Sequence, residues 1–344
     1  MTDGRPQPAA RVTIGDVARV AGVRPSTVSK ALNDGRGSIE VRERVRRAAA
    51  ELGYRPNEQA RGLRRAQSRS IGLLLPDLAN PVFLPLLRGA ERAARDRGYV
   101  VLIADGQQSD PAEEAALERF FDQGVDGLLL AGPVPPGSLR RFLEHGVPIA
   151  PRPPEPGRVG PWERAETAAT RAMAERLLEL GHRHVTFLAP PQPKAPQGQM
   201  YRRGRFDALS TVLTQAGAEL AVIGVDPRLG FDRCRAELGL VLAASSSTAL
   251  ICGTHLLLPP LLAALAGASR RLPDDLSLVA YGDSDWARAY VPPLSVIGAD
   301  THALGHALAA SLLDEIADLE PRPRDDISIQ FIERGSCGPA PRRS

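Results

Sequence analysis

The sequence predicts an all-α head with a helix-turn-helix arrangement, followed by an α/β body of two doubly wound parallel sheets. Three observations predict this. Up to Gly53 the apolar residues recur at helical spacing in three short blocks. From Ser70 onward short apolar runs alternate with amphipathic stretches, the pattern of a parallel sheet with helices on both faces. The charge is also divided: of the 344 residues, those up to Ser70 carry 15 Lys/Arg against 7 Asp/Glu, a net of +8, while the whole chain carries only +3. A basic head on a mildly acidic body points to a nucleic-acid or membrane-surface contact made by the head.

Residues 1–11 are polar and proline-containing and are expected to be a disordered tail. The first helix is expected over 13–20, with Thr13 as cap, Asp16 in the first turn and Gly22 as its stop. The second runs over 25–32, with Pro25 suited to the first helical position. The third runs from Ser38 through Val41, Val45, Ala48, Ala49 and Leu52 to Gly53. A short helix-capable piece at 58–63 and the basic run 64–69 form a linker, so the body begins near Ser70.

In the body, strands are expected over 71–75, 100–104, 127–131, 147–150, 185–189, 221–225, 249–252, 276–281, 294–297 and 327–332. Helices are expected over 84–97, 111–123, 165–180 and 205–216, several ending at a glycine such as Gly98, Gly124, Gly181 or Gly217. So many strands suit two sheets better than one. The stretches 133–161 and 190–199 carry no clear periodicity.

The same residues exclude several classes. No run approaches the ~20 apolar residues needed to cross a bilayer, and the N-terminus lacks a secretory pattern, so a cytoplasmic, nucleoid-associated location is expected and no membrane partner. Cys234, Cys252 and Cys337 are too few and too scattered for a disulfide framework or a metal site. His302 and His306 share a helix face but have no third ligand nearby. No nucleophile–base set, phosphate loop or paired-carboxylate motif is present, so neither catalysis nor a cofactor is expected.

Two helices joined by the tight turn Ala21-Gly22-Val23 and supported by a third suit a DNA-reading unit, whose second helix enters the major groove. Ser26, Thr27, Ser29 and Lys30 supply hydroxyls and a cation on one side of that helix, with Val28 and Leu32 left for the core. The competing reading is an ordinary small helical bundle with a solvated basic face.

The runs VTIGDVARVAGV (12–23), STVSKALN (26–33) and ELGYRPN (51–57) closely resemble the DNA-binding head of the LacI/GalR family of transcriptional regulators. The resemblance continues through IGLLLPDLANP (71–81), GVDGLLL (124–130), LGH (180–182) and PPL (292–294), nearly the whole chain. It implies an effector-binding core similar to periplasmic sugar-binding proteins, with a cleft between two subdomains. The implied divisions are a head at 12–57, a hinge helix and linker at 58–70, one subdomain from 71–170 plus 299–325, another from 171–298 plus 326–337, and a flexible tail at 338–344.

By the same resemblance, Pro25, Ser26 and Lys30 face base edges, and Thr13, Thr27, Ser29, Asn33 and Asn57 face phosphates, which set register rather than sequence. Arg24 stands where a capping serine is usual and gains a phosphate-directed cation. Leu63 matches a hinge leucine that wedges into the minor groove and kinks the duplex. The implied partners are a near-palindromic double-stranded operator and a second copy of the chain, with a repressor the expected role.

The effector pocket is implied at Asn80, Phe83, Trp162, Tyr201, Thr254, His255 and Asp283. Here the chain departs from the family: Trp162 replaces an Asp, Tyr201 an Arg, Thr254-His255 an Asn-Asp, Gly282 an Asp and Ala299 a Gln. Losing these sugar-gripping groups leaves two readings open, a less polar effector that is not a typical sugar, or a pocket that binds none. A small-molecule-binding protein or enzyme with a vestigial head is the alternative for the whole chain.

Overall fold

The computed structural model describes residues 12–33, 38–54, 67–107, 110–155, 158–191, 203–319 and 327–341. The chain divides into two compact units, 1–68 and 69–344.

The first unit holds α1 (Ile14–Ala21), α2 (Pro25–Asn33) and α3 (Ile39–Glu51). Thr13 and Asp16 cap α1 reciprocally: the Asp16 amide donates to Thr13 Oγ1 and the Thr13 amide donates to the Asp16 carboxylate. Gly22 closes α1 in the left-handed region at φ 61°. Ser38 Oγ accepts from the Val41 amide at the start of α3. Val17, Ala18, Ala21, Val28, Ala31, Val45, Ala48 and Ala49 form the core, and Leu32 and Tyr54 pack on it half-buried.

The second unit contains two sheets. The first has the order β2-β1-β3-β4 and is parallel, built from β1 (Ser70–Leu75), β2 (Val100–Asp105), β3 (Gly127–Leu130) and β4 (Ile149–Ala150). α4 (Phe83–Asp96) and α12 (Thr301–Ile316) cover one face, with Leu86, Ala90, Ala94, Leu308 and Leu312 buried on Ile71 and Leu73. α5 (Asp110–Asp122) and α6 (Arg140–Glu144) cover the other, through Leu117, Phe120 and Phe142. Gly89 and Gly305 let α4 and α12 cross closely, since a Cβ at either would run into the backbone of the other helix.

The second sheet has the order β10-β9-β8-β7-β5-β6. Its strands are β5 (His184–Ala189), β6 (Glu219–Gly224), β7 (Ala249–Cys252), β8 (Ser277–Tyr281), β9 (Ser295–Gly298) and β10 (Gln330–Ile332). α7 (Pro161–Glu179) and α8 (Ala208–Gln215) lie on one face through Met173, Leu177, Leu209 and Leu213. α9 (Phe231–Ala244), α10 (Leu258–Gly267) and α11 (Asp285–Ala289) lie on the other through Leu238, Leu261 and Ala287. The two layered lobes are the doubly wound architecture expected from the alternation.

Three details differ from expectation. β10 runs antiparallel to β9, an edge strand on an otherwise parallel sheet. α7 starts at Pro161, four residues before the expected position, because Pro161 is well placed in the first helical turn. α7 is one continuous helix, with Trp162 at its start packed on the first core and Ala169, Met173 and Leu177 further along packed on the second. The expected tail at 338–344 is anchored at its start. His182 and Ser277 hold Gly338, and the Ala340 amide donates to the Leu180 carbonyl. Among the described residues no helix is long and apolar enough to cross a membrane.

Candidate nucleic-acid interface and ligand cleft

In the head, α2 begins with Pro25, and the Thr27 and Val28 amides donate to the Arg24 carbonyl. Val28 and Ala31 are buried, which turns Pro25, Ser26 and Lys30 outward with Arg24. Ser26 and Lys30 are four residues apart and so share one face of the helix. Thr27 and Ser29 are half-buried at the sides of that face. The Thr13 hydroxyl is committed to the cap, donating to Asp16 Oδ2 at 2.7 Å. The hydrogen bonds from Thr13 and Arg19 hold the Asp16 carboxyl below the usual carboxylate range. The Asn33 side chain, Asn57 and Leu63 lie outside the described residues.

The second site lies where the C-terminal ends of β1, β7 and β8 converge, the edge at which open α/β sheets bind ligands. After β1, Asp77 Oδ1 accepts from the Ala79 amide at 2.8 Å, and its Oδ2 lies 3.3 Å from His255 Nε2 after β7. The two side chains are 13% and 9% exposed. His255 is the largest influence on Asp77 and holds its carboxyl below the usual range against the opposing effect of burial. Thr254 is buried and accepts from the Leu256 amide, turning the chain so that His255 faces inward.

Asn80 is half-buried with its Oδ1 taken by the Val82 amide at 3.1 Å. Phe83 packs half-buried on the core of the first lobe. Trp162 does the same, its indole N–H donating to the Leu130 carbonyl at 3.2 Å. Tyr201 lies outside the described residues. Asp283 is only 2% exposed and is clamped by Arg288 and Arg334 at 2.7 and 2.8 Å. Burial pushes its carboxyl up, but the hydrogen bonds from the two guanidinium groups together bring it below the usual range. Asp283 therefore has a structural partner at each side rather than the open position that the pocket reading assigns to it.

Sequence reasoning missed one heavily bonded group at this edge. Arg205 meets Glu166 with Nη2 at 2.6 Å and Nε at 3.2 Å, and donates from Nη1 to the Gly253 carbonyl at 2.9 Å. Its guanidinium lies 4.5 Å from the centre of the Tyr281 ring. The Tyr281 hydroxyl in turn bonds Thr170 Oγ1 at 2.7 Å. The available signal was weak: a charge directly after Gly204, within a helix that otherwise buries its apolar side. Gly282 is the last element. Its φ of +102° favours glycine, and a Cβ there would lie 2.7 Å from Val82 Cγ2 on the opposite lobe.

Residues 13–57 match the family described as bacterial regulatory proteins, lacI family. Residues 68–219 match the periplasmic binding proteins and sugar binding domain of the LacI family, and 174–337 a periplasmic binding protein-like domain. The HTH-type transcriptional regulator GntR of Pseudomonas aeruginosa is 32% identical over 97% of this chain and 96% of its own. The HTH-type transcriptional repressor CytR of Escherichia coli is 30% identical over 88% of this chain and 89% of its own. Among solved structures, the Lac repressor dimer bound to operator and the anti-inducer ONPF aligns with a TM-score of 0.75. That alignment is 24% identical and covers 95% of this chain and 99% of that one, a likeness of fold. These relatives are regulators, which sets aside the reading of an enzyme with a vestigial head. The chain belongs to the LacI family of bacterial regulatory proteins, DNA-binding transcriptional regulators.

Proposed function

We propose that the chain is a homodimeric repressor that reads a near-palindromic operator with α2 and carries a core whose ligand cleft is not built for a typical sugar. The observation that carries the DNA reading is the outward face of α2, where Pro25, Ser26 and Lys30 are exposed over buried Val28 and Ala31. A major groove admits such a helix, and a lysine there donates to guanine without the paired fork of an arginine. Arg24, Thr27 and Ser29 flank the face as phosphate contacts, and Leu63 is the minor-groove wedge implied by the resemblance. The repressor role is supported by the relative named as a repressor at 30% identity.

The homodimer reading is supported by an apolar edge on the first lobe. Val100 and Ile103 of edge strand β2 are 62% and 46% exposed, and Leu84 of α4 is 59% exposed. Exposed apolar edge strands are normally covered, and a two-fold pair would present identical heads to related half-sites. For the cleft, the support is chemical. Among the described residues, Arg205 is bonded to Glu166 and Gly253 and Trp162 donates to backbone, so these polar groups are engaged within the chain, while His255 Nε2 is buried 3.3 Å from Asp77 Oδ2 without a hydrogen bond.

The test is selection of bound sequences from a random DNA library with the full chain. A near-palindromic consensus bound by two chains per site is expected, and Lys30→Ala should relax preference at one base pair in each half-site. A consensus without two-fold symmetry, or recovery of unselected DNA, would overturn the proposal.

A further inference from the structure

Two contacts join strand ends of the two lobes among the described residues, besides the bond from Trp162 on α7 to the Leu130 carbonyl. One is Asp77 with His255, where a loop following β1 of the first sheet meets a turn following β7 of the second. The other is Val82 with Gly282, a pair so close that no side chain could be added at 282 without displacing Val82. Both sit at the C-terminal ends of strands, so both contacts separate if the lobes open.

We propose that Asp77 and His255 form a latch that joins the lobes across the cleft and sets how far it opens. Each partner is aimed by its own lobe. The Ala79 amide holds Asp77 Oδ1, leaving Oδ2 to face the imidazole. Thr254 fixes the turn that carries His255. The pair is shielded, with both side chains less than one-seventh exposed, so it is screened little by solvent and depends on close approach. Within the second lobe, Arg205 ties the strand end at Gly253, immediately before this turn, to Glu166 on α7. The latch residue therefore moves with the lobe as a rigid piece. A contact made only in the closed form biases closure by its own free energy, and lobe closure of this kind is a common switching motion. The link from closure to DNA binding rests on the function proposed above; the latch itself does not.

The test uses the full chain with spin labels at Glu118→Cys on α5 and Glu237→Cys on α9, both exposed and one on each lobe. Distances between the labels are measured in the parent, in Asp77→Asn, in His255→Phe and in the double variant. Asp77→Asn keeps an oxygen for the Ala79 amide, and His255→Phe keeps the ring but removes its nitrogens. Circular dichroism selects the variants that fold. The parent is expected to show one short distance, and each single variant a longer one whose population grows by about tenfold or more. The double variant should open no further than the singles, because either change breaks the same contact. An unchanged distance in either folded single variant would overturn the latch, as would an opening in the double equal to the sum of the two. Operator binding is recorded on the same samples. If the parent shows no operator preference, the regulatory reading fails while the distances still decide the latch.

Discussion

Arg334 and Asp283 are joined at 2.8 Å, Nη2 to Oδ2, and with Arg288 they bury a carboxylate beside the end of β8. The arrangement gives Asp283 a structural role in the second lobe, since Arg334 also donates from Nη1 to the Leu294 carbonyl. Removing one partner of a buried pair leaves the other charge uncompensated, which costs about 3–5 kcal/mol. Asp283→Ala is therefore expected to lower the stability of the core by about that amount in thermal unfolding. An unchanged unfolding temperature would place Asp283 outside the structural framework.

His182 is fully buried, with Nδ1 on Thr248 Oγ1 at 2.8 Å and Nε2 on the Gly338 carbonyl at 3.0 Å. Burial lowers its pKa from the ordinary 6.5, outweighing the opposing hydrogen bond to Gly338. The unfolded chain thus takes up this proton more readily than the folded one. The stability that His182 contributes is fully present above pH 6.5 and falls as the pH drops below that value. One proton taken up on unfolding makes the fall at most about 1.4 kcal/mol for each step of one in pH. In His182→Gln the fall between about pH 6.5 and 5 should be smaller than in the parent. Identical pH profiles would remove His182 as a contributor.

Gly282 combines a φ of +102° with a near contact to Val82. Gly282→Ala is expected to destabilise the closed core by about 1–3 kcal/mol, part of it backbone strain and part the crowding of Val82. Adding Val82→Ala should recover the second part only. Full recovery in calorimetry would show that the backbone contributes nothing.

Lys30 is exposed on the outward face of α2. Lys30→Arg supplies a fork that matches guanine, so discrimination at that base pair is expected to rise by up to about 1–3 kcal/mol. Leu63→Ala should weaken operator binding much more than binding to random DNA, because the wedge acts only on a kinked site. Equal losses on both DNAs would show that Leu63 has no such role.

How legible the molecule is in its sequence depends on how local each determinant is. The head is readable because Val17, Val28 and Val45 follow helical spacing, and Thr13 and Gly22 mark the ends of α1 by local chemistry. The strands are readable as apolar runs for the same reason, although β6 at the sheet edge is mostly exposed. What is not readable depends on partners distant in the chain. Glu166 finds Arg205, Asp77 finds His255, and Gly338 is caught by His182, pairings that no periodicity announces. Resemblance alone places Asp283 in the pocket, and only Arg288 and Arg334 beside it reveal its different duty.

Reading of a specific DNA sequence by α2 underlies the proposed function. It is tested most directly by measuring, at physiological salt, the affinity of the full chain for its selected operator against shuffled DNA of equal length. Specific protein–DNA pairs differ from non-specific ones by about 10³ or more, and a ratio of that order is predicted. Affinities equal within a few-fold would contradict it.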